Sequence, residues 1–203
     1  MERMVNRETV KNRIITVSRE FGSGGRTIGK ETAQKLGVPC YDQELIEAIA
    51  KESGFAREYI AERGEYASSK GWLASALSDR DFYGHSNQDY LWTVQRRVIL
   101  DLAAQGPCVI VGRCADYILR DYADCLTVFI HSAPDKRAER IVKQYGEGSD
   151  APEKRLKDKD KRRAAYYQFY TDRKWGEARN YHISLDSGML GMESCVRVLE
   201  GLF

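Results

Sequence analysis

A short β-branched run, Ile14 to Ser18 (IITVS), leads into Gly22-Ser23-Gly24-Gly25, and a helical pattern then runs from Thr27 to Leu36. A strand, a glycine-rich turn and a helix in that order restrict the chain more than any other stretch of it. Such a turn aims free backbone N–H groups and the positive end of the helix dipole at one point, where an anion such as a polyphosphate binds. The turn alone is a weak signal, because many glycine-rich turns only change the direction of the chain.

The rest of the sequence continues the alternation. Gly37 stops the first helix, Val38 to Tyr41 is a second extended piece, and Asp42 is a good N-cap for a helix from Gln43 to Glu52. Residues 54 to 86 have weak periodicity and read as a short helix near Arg57 to Arg63 followed by a connection. A long amphipathic helix, Asn87 to Gln105, carries Leu91, Val94, Val98 and Leu102 on one face. Cys108 to Val111 (CVIV) is a continuous apolar run, as expected of a strand buried on both faces. A helix at Ala115 to Arg120, a strand at Leu126 to His131, a helix at Pro134 to Tyr145, a strand at Tyr181 to Leu185 and a closing helix at Gly191 to Leu202 follow. Five strands alternating with helices predict one α/β domain over residues 1–203, a five-stranded parallel sheet in a three-layer arrangement whose ligands bind at the carboxyl ends of the strands.

Composition narrows the function classes. With 203 residues, 42% hydrophobic and 31% charged, the chain has the makings of a core without disulfide staples. Its formal charge of +2 argues against a polybasic nucleic-acid coat. No apolar run approaches the roughly 20 residues of a membrane span, and the opening MERMVNRETVKNR is charged where a signal peptide is apolar, so a cytoplasmic protein without a membrane partner is expected. Five cysteines without a C-x-x-C fit reduced, mostly buried thiols, and the three histidines lack ligand spacing. Positive charge is concentrated: residues 153 to 174 hold nine Lys and Arg against four Asp and Glu, a net +5 that leaves −3 for the rest. The break at Gly146 to Asp150 and this basic segment together suggest a lid over about 147–174.

The run Ser18-Arg19-Glu20-Phe21-Gly22-Ser23-Gly24-Gly25-Arg26-Thr27 resembles the Walker A loop of nucleoside monophosphate kinases in the GSGKGT form of cytidylate kinases. Gly22, Ser23, Gly24 and Thr27 match; Gly25 stands where the phosphate-binding lysine belongs, and Arg19 replaces the glycine that opens the motif. Together with YDQELI, VIVGRCADYIL, DKRRAAYY and YHISLDSGMLGM, this resembles the bacterial cytidylate-kinase-like family of P-loop kinases over nearly the full length. The resemblance implies ATP and Mg²⁺ as cofactors. Residues 22–27 would then hold the donor phosphates, with Thr27 as the Mg²⁺ ligand and Arg26 or Arg19 as the replacement cation.

On the acceptor side, about residues 42–86, Gly112-Arg113-Cys114 resembles the Gly-Arg-Asp of cytidylate kinases, with a thiol in place of the carboxylate and Asp116 two residues later. Arg113 is then the contact to acceptor phosphate, while Asp116 either joins it or faces solvent from its helix. Asp42 matches a family aspartate near the acceptor, in addition to its reading as an N-cap. Asp160 and Arg163 have the D-x-x-R spacing of the family's lid, which puts both on one helix face and implies ribose contact for Asp160 and transferred-phosphate contact for Arg163. The catalytic set is thus Arg26, Arg113 and Arg163. The expected activity is a kinase: an ATP-binding phosphotransferase acting on a nucleoside monophosphate, cytidylate first, or on a related small molecule. Two alternatives are a nucleotide-binding module without catalysis, suggested by the absent lysine, and an RNA-binding protein using the basic aromatic stretch 161–175.

Overall fold

The structure, a computed structural model, describes residues 13–58, 60, 87–121, 124–146 and 151–203. Five strands form one all-parallel sheet: β1 (Ile14–Arg19), β2 (Cys40–Tyr41), β3 (Cys108–Val111), β4 (Cys125–His131) and β5 (Ile183–Asp186), in the spatial order β2-β3-β1-β4-β5. Among the described residues eight α-helices flank it: α1 (Gly25–Leu36), α2 (Gln43–Ser53), α3 (Asn87–Ala104), α4 (Ala115–Ile118), α5 (Pro134–Tyr145), α6 (Pro152–Thr171), α7 (Ser187–Leu190) and α8 (Met192–Leu202). This is the expected three-layer α/β fold, with boundaries shifted by one or two residues at most ends. The connection at 64–86 and the break at 147–150 lie outside the described residues.

Strand pleating divides the core in two. Ile14, Cys108 and Ile110 point to one face, against Leu45 and Ile49 of α2 and Leu91, Val94, Val98 and Ile99 of α3. Ile15, Val17, Val109, Val111, Val128 and Ile130 point to the other, against Ile28 and Ala33 of α1 and Val196 and Leu199 of α8. A fully buried aliphatic side chain contributes about 1.5–3 kcal/mol, so these two layers fix β1 at the centre of the sheet. All five cysteines are free, and burial lifts the Cys108 and Cys125 thiols to about 12. They act as small hydrophobes.

One local expectation changes and one open alternative is closed. Asp42 occupies the N-cap of α2 but makes no side-chain cap bond, because its carboxylate pairs instead with Arg26. Asp116 does not face solvent: α4 is only four residues long and lies under α6, leaving Asp116 4% exposed.

The basic segment folds as one 20-residue helix, α6, begun by Pro152 at its first turn. Its aromatic residues pack inward. Tyr166 and Tyr167 are buried, and Tyr170 stacks on Trp92 of α3 at 4.3 Å and 10°. Phe169 alone of that group is largely exposed, which leaves few ring faces on which nucleotide bases would stack. No helix among the described residues is long and apolar enough to cross a membrane.

Candidate functional site

The glycine turn joins the carboxyl end of β1 to the start of α1. Gly22 (φ +78°) and Gly24 (φ +80°) both sit in the left-handed region, which costs a residue with a Cβ about 1–2 kcal/mol. Gly24 is also the N-cap of α1 and provides no side-chain cap, so the first-turn N–H groups, which have no acceptor within the helix, remain for a ligand. Ser23 turns inward and is fully buried. Its hydroxyl donates to the Glu20 carbonyl at 2.9 Å, and its own carbonyl accepts from Ser187 Oγ at 2.5 Å. The outside of the turn is packed as well. A Cβ at Gly22 would lie 2.8 Å from Ile141 Cγ2, and one at Gly24 would lie 2.7 Å from Met192 Sδ.

Charged groups from α5 and α6 hold the turn in place. Arg137, 7% exposed, donates to the Phe21 carbonyl at 3.1 Å and to Asp160 Oδ2 at 2.5 Å, and lies 3.4 Å from Glu20 Oε2. Asp160 Oδ1 accepts the Phe21 N–H at 2.7 Å. Arg140 donates to the Gly22 carbonyl at 2.7 Å. Arg163 donates to the Arg19 carbonyl at 3.1 Å and lies over the Phe21 ring. Asp160 and Arg163 therefore do share one face of α6, and that face is seated on the turn. Glu20 accepts from Ser132 N–H at 3.1 Å. Burial pushes its carboxyl above the usual range despite that bond and Arg137.

The end of β3 makes the second part of the site. After Gly112 (φ +78°), Arg113 (φ +57°) and Cys114 (φ +55°) are two consecutive non-glycine residues in the left-handed region, a strained arrangement of the kind that gathers at ligand sites. Arg113 is 4% exposed and donates to the Ile60 carbonyl and to Gln95 Oε1, both at 3.3 Å. Gln95 Nε2 in turn donates to the Arg113 carbonyl and to Tyr166 Oη.

Arg113, Arg19 and Arg163 line one small cavity of about 20 Å³, closed by Tyr166, Tyr167 and Trp175 of the α6 side. Asp116 lies behind it, accepting from Tyr167 Oη at 2.7 Å and from Ser18 Oγ at 3.4 Å. Burial raises the Asp116 carboxyl, and these bonds offset only part of that. Burial likewise raises the Tyr167 and Tyr181 hydroxyls.

A wider cleft of about 470 Å³ opens along α1. Arg26, Thr27, Lys30, Asp42 and Glu44 are among its lining residues. Here Arg26 is half exposed and ion-paired with Asp42. The sequence's candidates thus separate: Arg19, Arg113 and Arg163 converge, while Arg26, Thr27 and Asp42 line a different space. Arg137, Arg140, Glu20 and Gln95 were not among them. The three-residue spacing of Arg137 and Arg140, on a helix that starts three residues after the end of β4, was the available signal.

The donor set fits a polyphosphate, with a bare helix start at the turn and arginines at the strand ends. For Mg²⁺ the Thr27 hydroxyl is a suitable hard ligand. No cluster of three or more carboxylate, His or Cys groups stands ready for a metal among the described residues, and an ion held through one hydroxyl, water and phosphate oxygens needs none.

Comparison with known proteins agrees with this geometry. The chain belongs to the cytidylate kinase-like family, whose profile matches residues 14–189. No curated protein matches it. Among solved structures it is similar to an uncharacterized protein from Eubacterium ventriosum, with a TM-score of 0.70 at 26% identity over 93% of this chain and 96% of that one. It is also similar to a shikimate kinase from Bacteroides thetaiotaomicron (TM-score 0.52, 20% identity, 93% and 97% covered). A third similar structure is a shikimate kinase from Acinetobacter baumannii in complex with shikimate (TM-score 0.52, 15% identity, 94% and 92% covered). The fold is that of the P-loop kinases, and family and fold support a nucleotide-dependent phosphotransferase.

Proposed function

We propose that the protein transfers the terminal phosphoryl group of ATP, with Mg²⁺, to a nucleoside monophosphate, cytidylate being the first candidate, or to a related small molecule. The observation that carries this reading is the uncapped start of α1 beside three arginines at the carboxyl edge of the sheet. Phosphoryl transfer asks the protein for positioning and charge neutralisation more than for covalent chemistry. Residues 22–27 hold the donor phosphates. The Thr27 hydroxyl would hold Mg²⁺, which would supply charge neutralisation at the phosphate oxygens. Arg113 binds the acceptor's phosphate, Arg163 meets the charge that develops on the transferring group, and Asp42 lies on the wall of the acceptor's cleft. Asp116 acts from behind, holding Ser18 and Tyr167 in place.

An anionic phosphate acceptor needs no general base. The cleft of about 470 Å³ is large enough for a nucleoside. A panel of nucleoside monophosphates and small alcohols, incubated with ATP, Mg²⁺ and the protein and read by ADP release, tests the reading. Turnover with one acceptor class supports it. Tight Mg·ATP binding with no turnover on any acceptor replaces it with a nucleotide-binding module, the reading that Gly25 in the lysine position favours.

A further inference from the structure

Gly25 poses a problem that backbone geometry does not solve. It is the first residue of α1 and lies outside the left-handed region, so its conformation is open to any L-residue. What excludes a side chain is space. A Cβ built on Gly25 lies 2.5 Å from Arg19 Cβ, 3.0 Å from Arg19 Cγ and 3.2 Å from Ile130 Cβ. Separations under 3.0 Å between such atoms do not occur in real proteins, and the clash falls on the root of the Arg19 side chain, which cannot swing aside.

Arg19 itself is the last residue of β1. Its backbone is paired with Ile130 of β4, and its carbonyl is held by Arg163. Its side chain leaves the strand across the first turn of α1 and lines the cavity shared with Arg113 and Arg163. Arg26, the other candidate cation, is turned to Asp42 on the wall of the wide cleft.

We infer that Arg19 is the phosphate-binding cation of this site, and that Gly25 is glycine because Arg19 passes through the space its side chain would fill. The two departures from the loop pattern are then one change. The cation has moved from the first turn of the helix to the end of the preceding strand, and the glycine has moved the other way. From the strand end a planar guanidinium presents paired donors to phosphate oxygens, where an ammonium would present a point charge. This assignment deepens the proposed function and rests on its placing of phosphates at the turn.

Two measurements test it together. In a thermal-unfolding cycle, Gly25→Ala should lower Tm by at least about 5 °C in the parent and by almost nothing in an Arg19→Gly background, since removing the Arg19 side chain vacates the space. In titrations with ATP and with inorganic tripolyphosphate, Arg19→Ala should weaken both ligands tenfold or more. Arg19→Gly/Gly25→Lys should recover affinity to within about threefold of the parent, where Arg19→Gly alone does not.

Equal Tm losses in both backgrounds, or unchanged affinity in Arg19→Ala, overturn the inference while leaving the phosphotransferase reading intact. Tripolyphosphate binding that depends on Arg19, in a protein that transfers phosphate to no acceptor, upholds the inference and removes the phosphotransferase reading. A parent that binds neither ligand overturns both.

Discussion

Two cavities, one lined from the ends of β1 and β3 and the other lined largely by α1, are built on opposite plans. The small one, about 20 Å³, gathers three arginines at the ends of β1 and β3 and on α6, two of them nearly buried. The large one, about 470 Å³, carries acids and bases together, and in its Arg26–Asp42 pair the arginine is half open to water. Burying like charges together is costly, whereas an exposed ion pair is worth about 0–1 kcal/mol and constrains little. Under the proposed function, the small cavity concentrates the positive charge that meets phosphate, and the large one supplies the shape and hydrogen bonding that select the rest of the ligand.

The sharpest way to break this contrast is at Arg163. Arg163→Ala should lower kcat by about 10³- to 10⁵-fold if the arginine meets the transferring phosphate. It should also lower Tm, because Arg163 is 7% exposed and ties α6 to the Arg19 carbonyl. Arg163→Lys should restore most of the Tm and little of the rate; recovery of both would make the residue a structural tie alone.

Arg113→Met comes next. It should cost about tenfold to a hundredfold in acceptor KM or kcat with ATP affinity nearly unchanged, as a charged hydrogen bond of about 1.5–3 kcal/mol implies. An equal loss of ATP affinity would put Arg113 on the donor side. Arg26→Ala, from the large cavity, should change ATP affinity by less than about threefold, and a tenfold loss measured by titration would erase the distinction between the two cavities.

The smallest effect is on stability. Burial raises Asp116's carboxyl, so the folded state holds this proton more tightly than the unfolded chain does. Its stabilising contribution is full below the ordinary carboxylate range and is lost as pH rises through the raised value. Asp116→Asn, which keeps an acceptor for Tyr167, should therefore unfold about 2–4 °C higher than the parent near pH 7. That gain should shrink as the buffer is taken toward pH 4, and a pH-independent difference in thermal melts would show that the carboxyl's charge is not the cause.

The fold was legible because its signals are periodic. CVIV, LTVFIH and the apolar stripes of α1, α2 and α3 each announce an element over several residues. The site was legible only where one residue type answers one backbone need, as at Gly22 and Gly24. The close approach of the Arg19 side chain to Gly25 joins a strand end to a helix start, and no spacing rule encodes it. The Arg26–Asp42 pair spans 16 positions, and it displaced the N-cap that local sequence favoured at Asp42. Asp116 stayed open in the sequence for a different reason, since a four-residue helix has no periodic face from which burial can be read. On α6 the shared face of Asp160 and Arg163 was visible, but its seat on the turn depends on Arg137 and Phe21, which are distant in the chain.

The support that Met192 and Ser187 give the glycine turn bears on when the site comes into being. Ser187 donates to the Ser23 carbonyl across 164 positions of chain, and Met192 fills the space behind Gly24. A nascent chain that has only just exposed β1, the turn and α1 has the sequence of an anion site without its backing. Contacts of such long range form late, after the loop-closure entropy of the intervening chain has been met. Nucleotide is thus a poor template for the first steps of folding and an effective clamp on the last, and a ligand added during refolding should slow unfolding far more than it hastens collapse.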